Sequence, residues 1–324
     1  MTKKIKPITK LGFTESLAII AVVFLFALLL KNSTLASAEV SNALHICTNT
    51  LIPSLFPLTV ASEIMTNIGA IEKITQKISQ PVSKFLGISP NATVPYFIGI
   101  FGGYTSSCKS AVLLYKNGKI SKDDCESIIA LSNIPSLAFM TGFVGLGIFK
   151  SSTVGWILWG IIILSTLLLG KINKFAFKKR ATLYTHENQN IKQKIGFSRV
   201  VVDAIGHSAY AMLIICACVV FFSVLISVLK LYLNQTIIPQ NVQSIALGTL
   251  EITKGIGSCN NIESAYHRAI ACAFLVGWSG LCVHFQVIAL CEETDISFKK
   301  YFLFKTLQGV ICTLLTLIVF SFKF

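Results

Sequence analysis

Charged side chains are scarce in this 324-residue chain, since Asp, Glu, Lys and Arg together make up 13% of it. Soluble globular domains carry about 25%, so the composition argues against an ordinary soluble protein. Acidic residues are rarer still, with 14 Asp and Glu against 28 Lys and Arg. The basic residues show none of the interleaving with aromatics that is typical of RNA-binding surfaces. We therefore expect no nucleic-acid partner.

Catalytic and metal-binding signatures are also missing. The run HENQN at 186–190 lacks the second histidine of an HExxH zinc motif, and the chain has neither a P-loop nor a G-x-S-x-G elbow. The ten cysteines form no CxxC pair and mostly lie in apolar runs, where cysteine usually acts as a small packing residue. We predict a protein that is not an enzyme, holds no metal or cofactor, and is not driven by ATP.

Long apolar runs are what the chain has in abundance, because 53% of its residues are hydrophobic. Several blocks approach or exceed the ~20 residues that an α-helix needs to cross a bilayer. These features predict an all-α polytopic membrane protein. We interpret residues 1–40 as an uncleaved N-terminal transmembrane helix, not a signal peptide, because Lys31 stops the block directly. The blocks predicted to cross are 17–31, 43–66, 152–172, 201–230 and 301–322.

The distribution of Lys and Arg predicts orientation, because cytosolic loops are enriched in both. The N-terminus and a basic linker at 176–199 are assigned to the cytosol, and the uncharged loop 231–243 to the outside. The flanking regions, 41–175 and 200–324, then enter the membrane from opposite sides. An offset of 146 residues matches their order of element types, although residue identity is poor. We predict two inverted structural repeats.

The run GIFGGYTSSCKS at 99–110 is polar and rich in glycine within an oily region. Three apolar segments lie between residues 67 and 171, both predicted inside, so one of them does not cross. We predict that the most polar segment, 92–115, enters and returns as a re-entrant hairpin, with its equivalent at 244–260. Non-helical backbone at membrane depth is tolerated where protein or a watery cavity satisfies it, as in many secondary transporters.

Candidate binding residues lie at the two hairpin tips and at the chain breaks that follow them. Intramembrane ionisable groups suggest function. Lys109 would supply a cation for an anion, or snorkel to the cytosolic face. Glu251, near Lys254 in the second hairpin, would bind a proton or sodium ion or pair with a cation, or belong to an internal ion pair that only holds the fold. Asp203 and His207 share a helix face and would form a proton relay or an interfacial turn. The candidate set is Gly103, Tyr104, Thr105, Ser106, Ser107, Lys109, Asn133, Glu251, Ser279, His284 and Gln286.

Three stretches carry a family resemblance: LIPSLFPLTVASEI (51–64), the run 102–139, and GWSGLCVHFQVIALCEETDIS (277–297). They resemble the YlbJ/SpoVV sporulation integral membrane proteins, which contain a nucleoside-recognition Gate-type domain. The resemblance covers about residues 45–315. The chain departs from the family pattern at Thr105 and Ser106, where Gly-Tyr-Pro with small residues before the lysine is expected, so the exact fit to substrate is left open.

The resemblance implies a secondary transporter that moves dipicolinic acid across the outer forespore membrane during sporulation. Dipicolinate is a flat dianion, which suits a cation, backbone N–H groups, hydroxyl donors and an aromatic ring. The expected partners are this small anion and the lipid membrane, with proton or sodium coupling left open. The alternatives are a nucleoside-type carrier and a non-transporting membrane scaffold in spore envelope assembly.

Overall fold

A computed structural model describes residues 13–68, 70–176, 196–233, 242, 245, 246 and 248–321. These residues form helices and connecting turns, with no strand among them. This agrees with the predicted all-α polytopic class. The four N-terminal lysines, most of the basic linker and most of the loop 231–243 lie outside the described residues, so the predicted orientation stays a prediction.

The first part of the chain forms eight α-helices with two π-helical stretches between them. A π-helical turn, Cys47–Leu51, connects the second helix to the third, and a π-helix, Phe139–Ile148, precedes the eighth. The helices are α1 (Phe13–Lys31), α2 (Ser33–Ile46), α3 (Ile52–Asn67), α4 (Ala70–Leu86), α5 (Thr93–Gly102), α6 (Tyr104–Lys116), α7 (Lys122–Ser132) and α8 (Ser152–Ala176).

The second part forms five described helices, which share one core with the first part. Buried residues from both parts make a continuous hydrophobic cluster, in which Leu131 of the first part and Phe304 of the second are completely enclosed. The helices are α9 (Phe197–Leu233), α10 (Ile252–Ser258), α11 (Ala265–Trp278), α12 (Gly280–Cys291) and α13 (Lys299–Ser321).

Four described stretches are long and apolar enough to cross a bilayer, namely α8, α9, the pair α11–α12, and α13, and the bent N-terminal pair makes a fifth if it is counted as one span. The predicted spans 152–172, 201–230 and 301–322 are therefore found close to their predicted bounds. The span Ala265–Cys291 was not among the predicted blocks, because the polar and glycine residues at its centre interrupt the apolar run.

The N-terminal region differs from the prediction of one helix over residues 1–40. Helix α1 ends at Lys31, and the chain bends by 91° before α2. The side chain of Asn32 donates a hydrogen bond to the Leu28 carbonyl at 2.8 Å, which is the local competition that makes asparagine a poor residue within helices. The predicted block 43–66 is likewise not one regular helix, because the π-helical turn interrupts it.

Polar contacts at the surface connect the end of α6 and the start of α7 with the loop that follows α12. Lys116 pairs with Glu293 at 2.7 Å, and Lys122 pairs with Asp295 at 2.9 Å. The Tyr115 hydroxyl donates to the same aspartate at 2.6 Å. These exposed contacts join the first part of the chain to the second.

Candidate substrate cavity

Helices α5 and α6 form a helical hairpin with Gly103 at its tip. Gly103 has φ 86° and ψ −167°, a backbone conformation that is essentially restricted to glycine. The arms pack directly, because a Cβ atom on Gly99 would lie 2.8 Å from the Cβ of Ser107. The segment predicted to enter and return is therefore folded back on itself.

A break in the next helix lies against this tip. Helix α7 ends at Ser132, and residues 133–136 are non-helical, since Pro135 lacks the N–H that would continue the hydrogen-bond ladder. The Asn133 side-chain amide donates to the Tyr104 carbonyl at 2.9 Å. A Cβ on Gly103 would lie 3.1 Å from the Cβ of Ser136, so hairpin tip and helix break are in contact.

The second part of the chain contains a comparable turn. A Cβ on Gly248 would lie 2.7 Å from the Cα of Gly255, which brings the residues before and after the turn together. Glu251 caps α10, because its carboxylate oxygens accept the N–H groups of Thr253 at 2.8 Å and Lys254 at 2.6 Å. The described residues of the segment 244–260 thus also turn back, although residues 244 and 247 lie outside the description.

The break between α11 and α12 lies against this second turn. Ser279 and Gly280 both have positive φ, 84° and 76°. A Cβ on Gly280 would lie 3.1 Å from the backbone nitrogen of Ile252. The first N–H groups of α12, those of Leu281 and Cys282, donate to carbonyls of the turn at 2.8 and 2.9 Å. This satisfies backbone groups that a broken helix would otherwise leave unpaired.

Both turns line a cavity of about 90 Å³, which is room for several water molecules. Apolar side chains from α9, such as Met212 and Val219, form one part of its wall. The first turn of α6 forms another part, and the opening N–H groups of a helix have no acceptors within that helix. The polar side chains around the cavity are those of Thr59, Tyr104, Thr105, Ser136, Glu251, Thr253 and Gln286.

Five of the predicted site residues line this cavity, and the other six do not. Ser106 donates to the Gly102 carbonyl within its own helix turn, and Ser107 hydrogen-bonds to Ser132. The residues that line it are Gly103, Tyr104, Thr105, Glu251 and Gln286.

Lys109 requires a correction, because it is exposed and does not line the cavity. Ser107, Cys108, Ala111 and Val112 form the buried face of α6. At about 100° per residue, the side chain at 109 is directed away from that face. The prediction located the cationic residue by its place in the sequence, and the helix rotation directs it outward.

Asn133, Ser279 and His284 are buried behind the cavity wall, each 1% exposed or less. The Nδ1 atom of His284 lies 2.7 Å from the Tyr301 hydroxyl. These three residues are close to the cavity but belong to the packed interior next to it.

A basic residue that was not predicted lies next to this interior: Lys305, on α13, is fully buried. Its Nζ donates to the Asn133 carbonyl at 2.8 Å and to Gln308 Oε1 at 2.7 Å, and it lies 5.9 Å from the Tyr104 ring centroid. A lone lysine inside an apolar span is the signal that could have identified it.

Two further alternatives from the sequence are decided by geometry. Lys254 does not pair with the Glu251 side chain, since its Nζ lies 2.6 Å from Glu39 on α2. Asp203 and His207 lie away from the cavity, where His207 Nδ1 is 3.1 Å from Glu63 and Asp203 is 3.7 Å from Arg199.

These features define a multi-pass integral membrane protein whose broken helices meet at a cavity. Comparison with known proteins shows which protein the chain is similar to. The chain is 23% identical over 305 residues to the sporulation integral membrane protein YlbJ of Bacillus subtilis (strain 168), an alignment that covers 84% of this chain and 74% of that protein. This similarity confirms the predicted resemblance to YlbJ and supports a membrane protein of sporulation. No family model and no solved structure matches the chain.

Proposed function

We propose that this chain is a secondary transporter of a small organic anion in sporulation, and that the anion binds in the central cavity. The observation that carries the proposal is that the first turn of α6 opens onto that cavity. Free N–H groups at a helix N-terminus attract anions, and the missing side chain at Gly103 lets a ligand approach the backbone. The proposed partners are a small anion and lipid, without nucleic acid or covalent chemistry.

The proposal includes the inverted repeat, which stays a prediction. Two parallels favour it. Gly99 packs on Ser107 in the first part, and Gly248 packs on Gly255 in the second. In both parts the turn also contacts the broken helix that follows it. Broken helices from two repeats that meet at one site are the arrangement through which many transporters alternate access between the two sides of the membrane.

Dipicolinate is the substrate we propose, on the ground of the YlbJ/SpoVV resemblance and of the chemistry of the cavity. Tyr104 would offer a ring face to a flat dianion, and Thr105 and Ser136 would offer hydroxyl donors. The outer forespore membrane is the proposed location on the same resemblance. We assign Glu251 to proton or sodium coupling, because a carboxylate that is 1% exposed lines the cavity.

Uptake into proteoliposomes tests the substrate. Purified protein is reconstituted, and entry of labelled dipicolinate is compared with entry of a labelled nucleoside and with protein-free vesicles. We expect saturable dipicolinate entry with little nucleoside entry. Nucleoside entry without dipicolinate entry would favour the nucleoside-type carrier.

A matched pair of variants separates a carrier from a scaffold in spore envelope assembly. Thr105→Val keeps the shape of a cavity-lining side chain and removes its hydroxyl. Thr306→Val makes the same change at an exposed position on α13. In chains that fold and localise normally, we expect the first change to lower dipicolinate accumulation several-fold and the second to leave it unaltered. Full spore function with both variants would favour the scaffold.

A further inference from the structure

Lys305 is a buried lysine without an anionic partner. It is fully buried, and its two hydrogen-bond acceptors, the Asn133 carbonyl and Gln308 Oε1, are both neutral. Among the described residues, no carboxylate lies within ion-pair distance of it. Lys254, which is partly exposed, does have such a partner at 2.6 Å in Glu39. Buried charges in proteins are normally paired, so an anion that entered beside Lys305 would find a basic group with no competing carboxylate.

The surroundings of Lys305 contain further unused polar groups. In the described part of the chain, Asn133 Oδ1, His284 Nε2 and Trp278 Nε1 are buried without a hydrogen-bond partner. The indole N–H of Trp278 can only donate, and its ring centroid lies 4.8 Å from that of His284. The Lys305 ammonium itself has three N–H groups and uses two of them within the protein. This cluster of Lys305, Asn133, Trp278 and His284 therefore still has N–H groups, on Lys305 and Trp278, that could donate to an anionic oxygen.

Tyr104 separates this cluster from the cavity. Its side chain lines the cavity, while its ring centroid lies 5.9 Å from Lys305 Nζ. The Tyr104 hydroxyl donates to the Val276 carbonyl at 3.1 Å, and the Tyr104 backbone carbonyl accepts from the Asn133 side-chain amide. Tyr104 is the first residue after the hairpin tip. A movement of that tip would therefore also move the Tyr104 ring, which lies between Lys305 and the cavity.

We propose that Lys305 recognises a carboxylate of the transported anion, and that it gains access to this carboxylate when Tyr104 moves aside. The inference rests on the proposed transport function and assigns to Lys305 the cationic role that was predicted for Lys109. Burial without an anionic partner disfavours the charged form of a lysine, and an entering carboxylate would favour it. The Asn133 carbonyl and Gln308 would hold the ammonium in position until then.

The first test is a charge-removing variant with a matched control. Lys305→Gln keeps a donor for the Asn133 carbonyl and removes the charge, while Lys299→Gln makes the same change at an exposed position of the same helix. We expect Lys305→Gln to weaken dipicolinate binding at least about 30-fold, the lower end of the range found when a buried charged hydrogen-bonding partner is removed, and Lys299→Gln to change it less than about twofold. Binding within twofold of wild type in a folded Lys305→Gln protein would overturn the inference.

A second measurement uses the wild-type chain, so that the role of Lys305 can be tested even if the Lys305→Gln variant fails to fold. Reductive methylation with formaldehyde and borohydride is followed at individual lysines by mass spectrometry. Because Lys305 is reached only when Tyr104 moves aside, we expect it to be methylated slowly in the empty protein and more slowly with dipicolinate, while Lys299 is methylated at the same rate in both. Equal methylation of Lys305 with and without dipicolinate would overturn the inference, and so would protection by chloride as strong as that by dipicolinate.

Different results would contradict the proposed transport function and the proposed role of Lys305. If the wild-type chain carries no dipicolinate into proteoliposomes, the proposed function fails and the role of Lys305 falls with it. If the wild type transports dipicolinate and Lys305→Gln transports it equally well, only the assignment of Lys305 is wrong.

Discussion

Replacing Gly103 by alanine tests whether the tip of the α5–α6 hairpin depends on a backbone that only glycine adopts easily. At φ 86° and ψ −167°, a non-glycine residue costs on the order of 1–3 kcal/mol. The new Cβ would also lie 3.1 Å from Ser136 Cβ and 3.2 Å from its backbone nitrogen. Both contacts are tight, so Gly103→Ala should lie at the upper end of this range.

That cost has a measurable size, because each ~1.4 kcal/mol is a factor of ten in an equilibrium. A penalty of about 1–3 kcal/mol would therefore reduce the ratio of native to rearranged tip by roughly 5-fold to more than 100-fold. We expect the melting temperature of Gly103→Ala in detergent to fall by several degrees. Dipicolinate uptake should fall further than stability does, since the altered tip lines the cavity.

Two glycine variants serve as controls. Gly118 also has positive φ, 66°, but a Cβ there would meet nothing within 4 Å, so Gly118→Ala should lose some stability and keep uptake. Gly160 is helical with open space around it, so Gly160→Ala should be neutral or stabilising by about 0.5–1 kcal/mol. If Gly103→Ala melts and transports like the wild type, the argument that the tip requires glycine is refuted.

Two further predictions concern carboxylates. Glu251→Gln should make uptake insensitive to an imposed ion gradient, measured in proteoliposomes with and without a pH or sodium step; a wild-type response would contradict the coupling role. Lys116 lowers the pKa of Glu293. Hydrogen bonds from the Tyr115 hydroxyl and from Lys122 lower the pKa of Asp295. Because folding depresses both pKa values, their stabilisation is present above the ordinary values of 4.5 and 3.8 and is lost as pH falls below about 4. Melting curves at pH 5 and below 4 should show this loss, and Glu293→Gln with Asp295→Asn should reduce it; an unchanged pH dependence in the double variant would count against these contacts.

The hairpin illustrates what could be predicted from the sequence. Counting crossings between the basic segments led to residues 92–115, and the structure folds Thr93–Lys116 into two arms around Gly103. Glycine and hydroxyl residues in an oily region are a local signal, since non-helical backbone needs such residues wherever it occurs. The outer bounds of α8, α9 and α13 were predictable for a similar reason, because the length of an apolar run is a property of the sequence alone.

The cationic residue illustrates what could not be predicted. Lys109 is close in sequence to the hairpin tip, yet the rotation of α6 directs it outward. Lys305 is about 200 positions further along the chain, and α13 brings it within 2.8 Å of the Asn133 carbonyl. No local sequence pattern connects Lys305 with Asn133, because their contact depends on how α13 packs against the end of α7.

Membrane insertion, helical class and the presence of polar interruptions follow from composition and run length, since lipid requires apolar surface and internally satisfied backbone over a set thickness. The bend at Asn32, the meeting of the two turns at one cavity, and the selection of Lys305 over Lys109 follow from packing between segments that are distant in the chain. Such contacts depend on helix rotation and on close approach at residues such as Gly99 and Gly280, and these quantities exist only once the chain is folded.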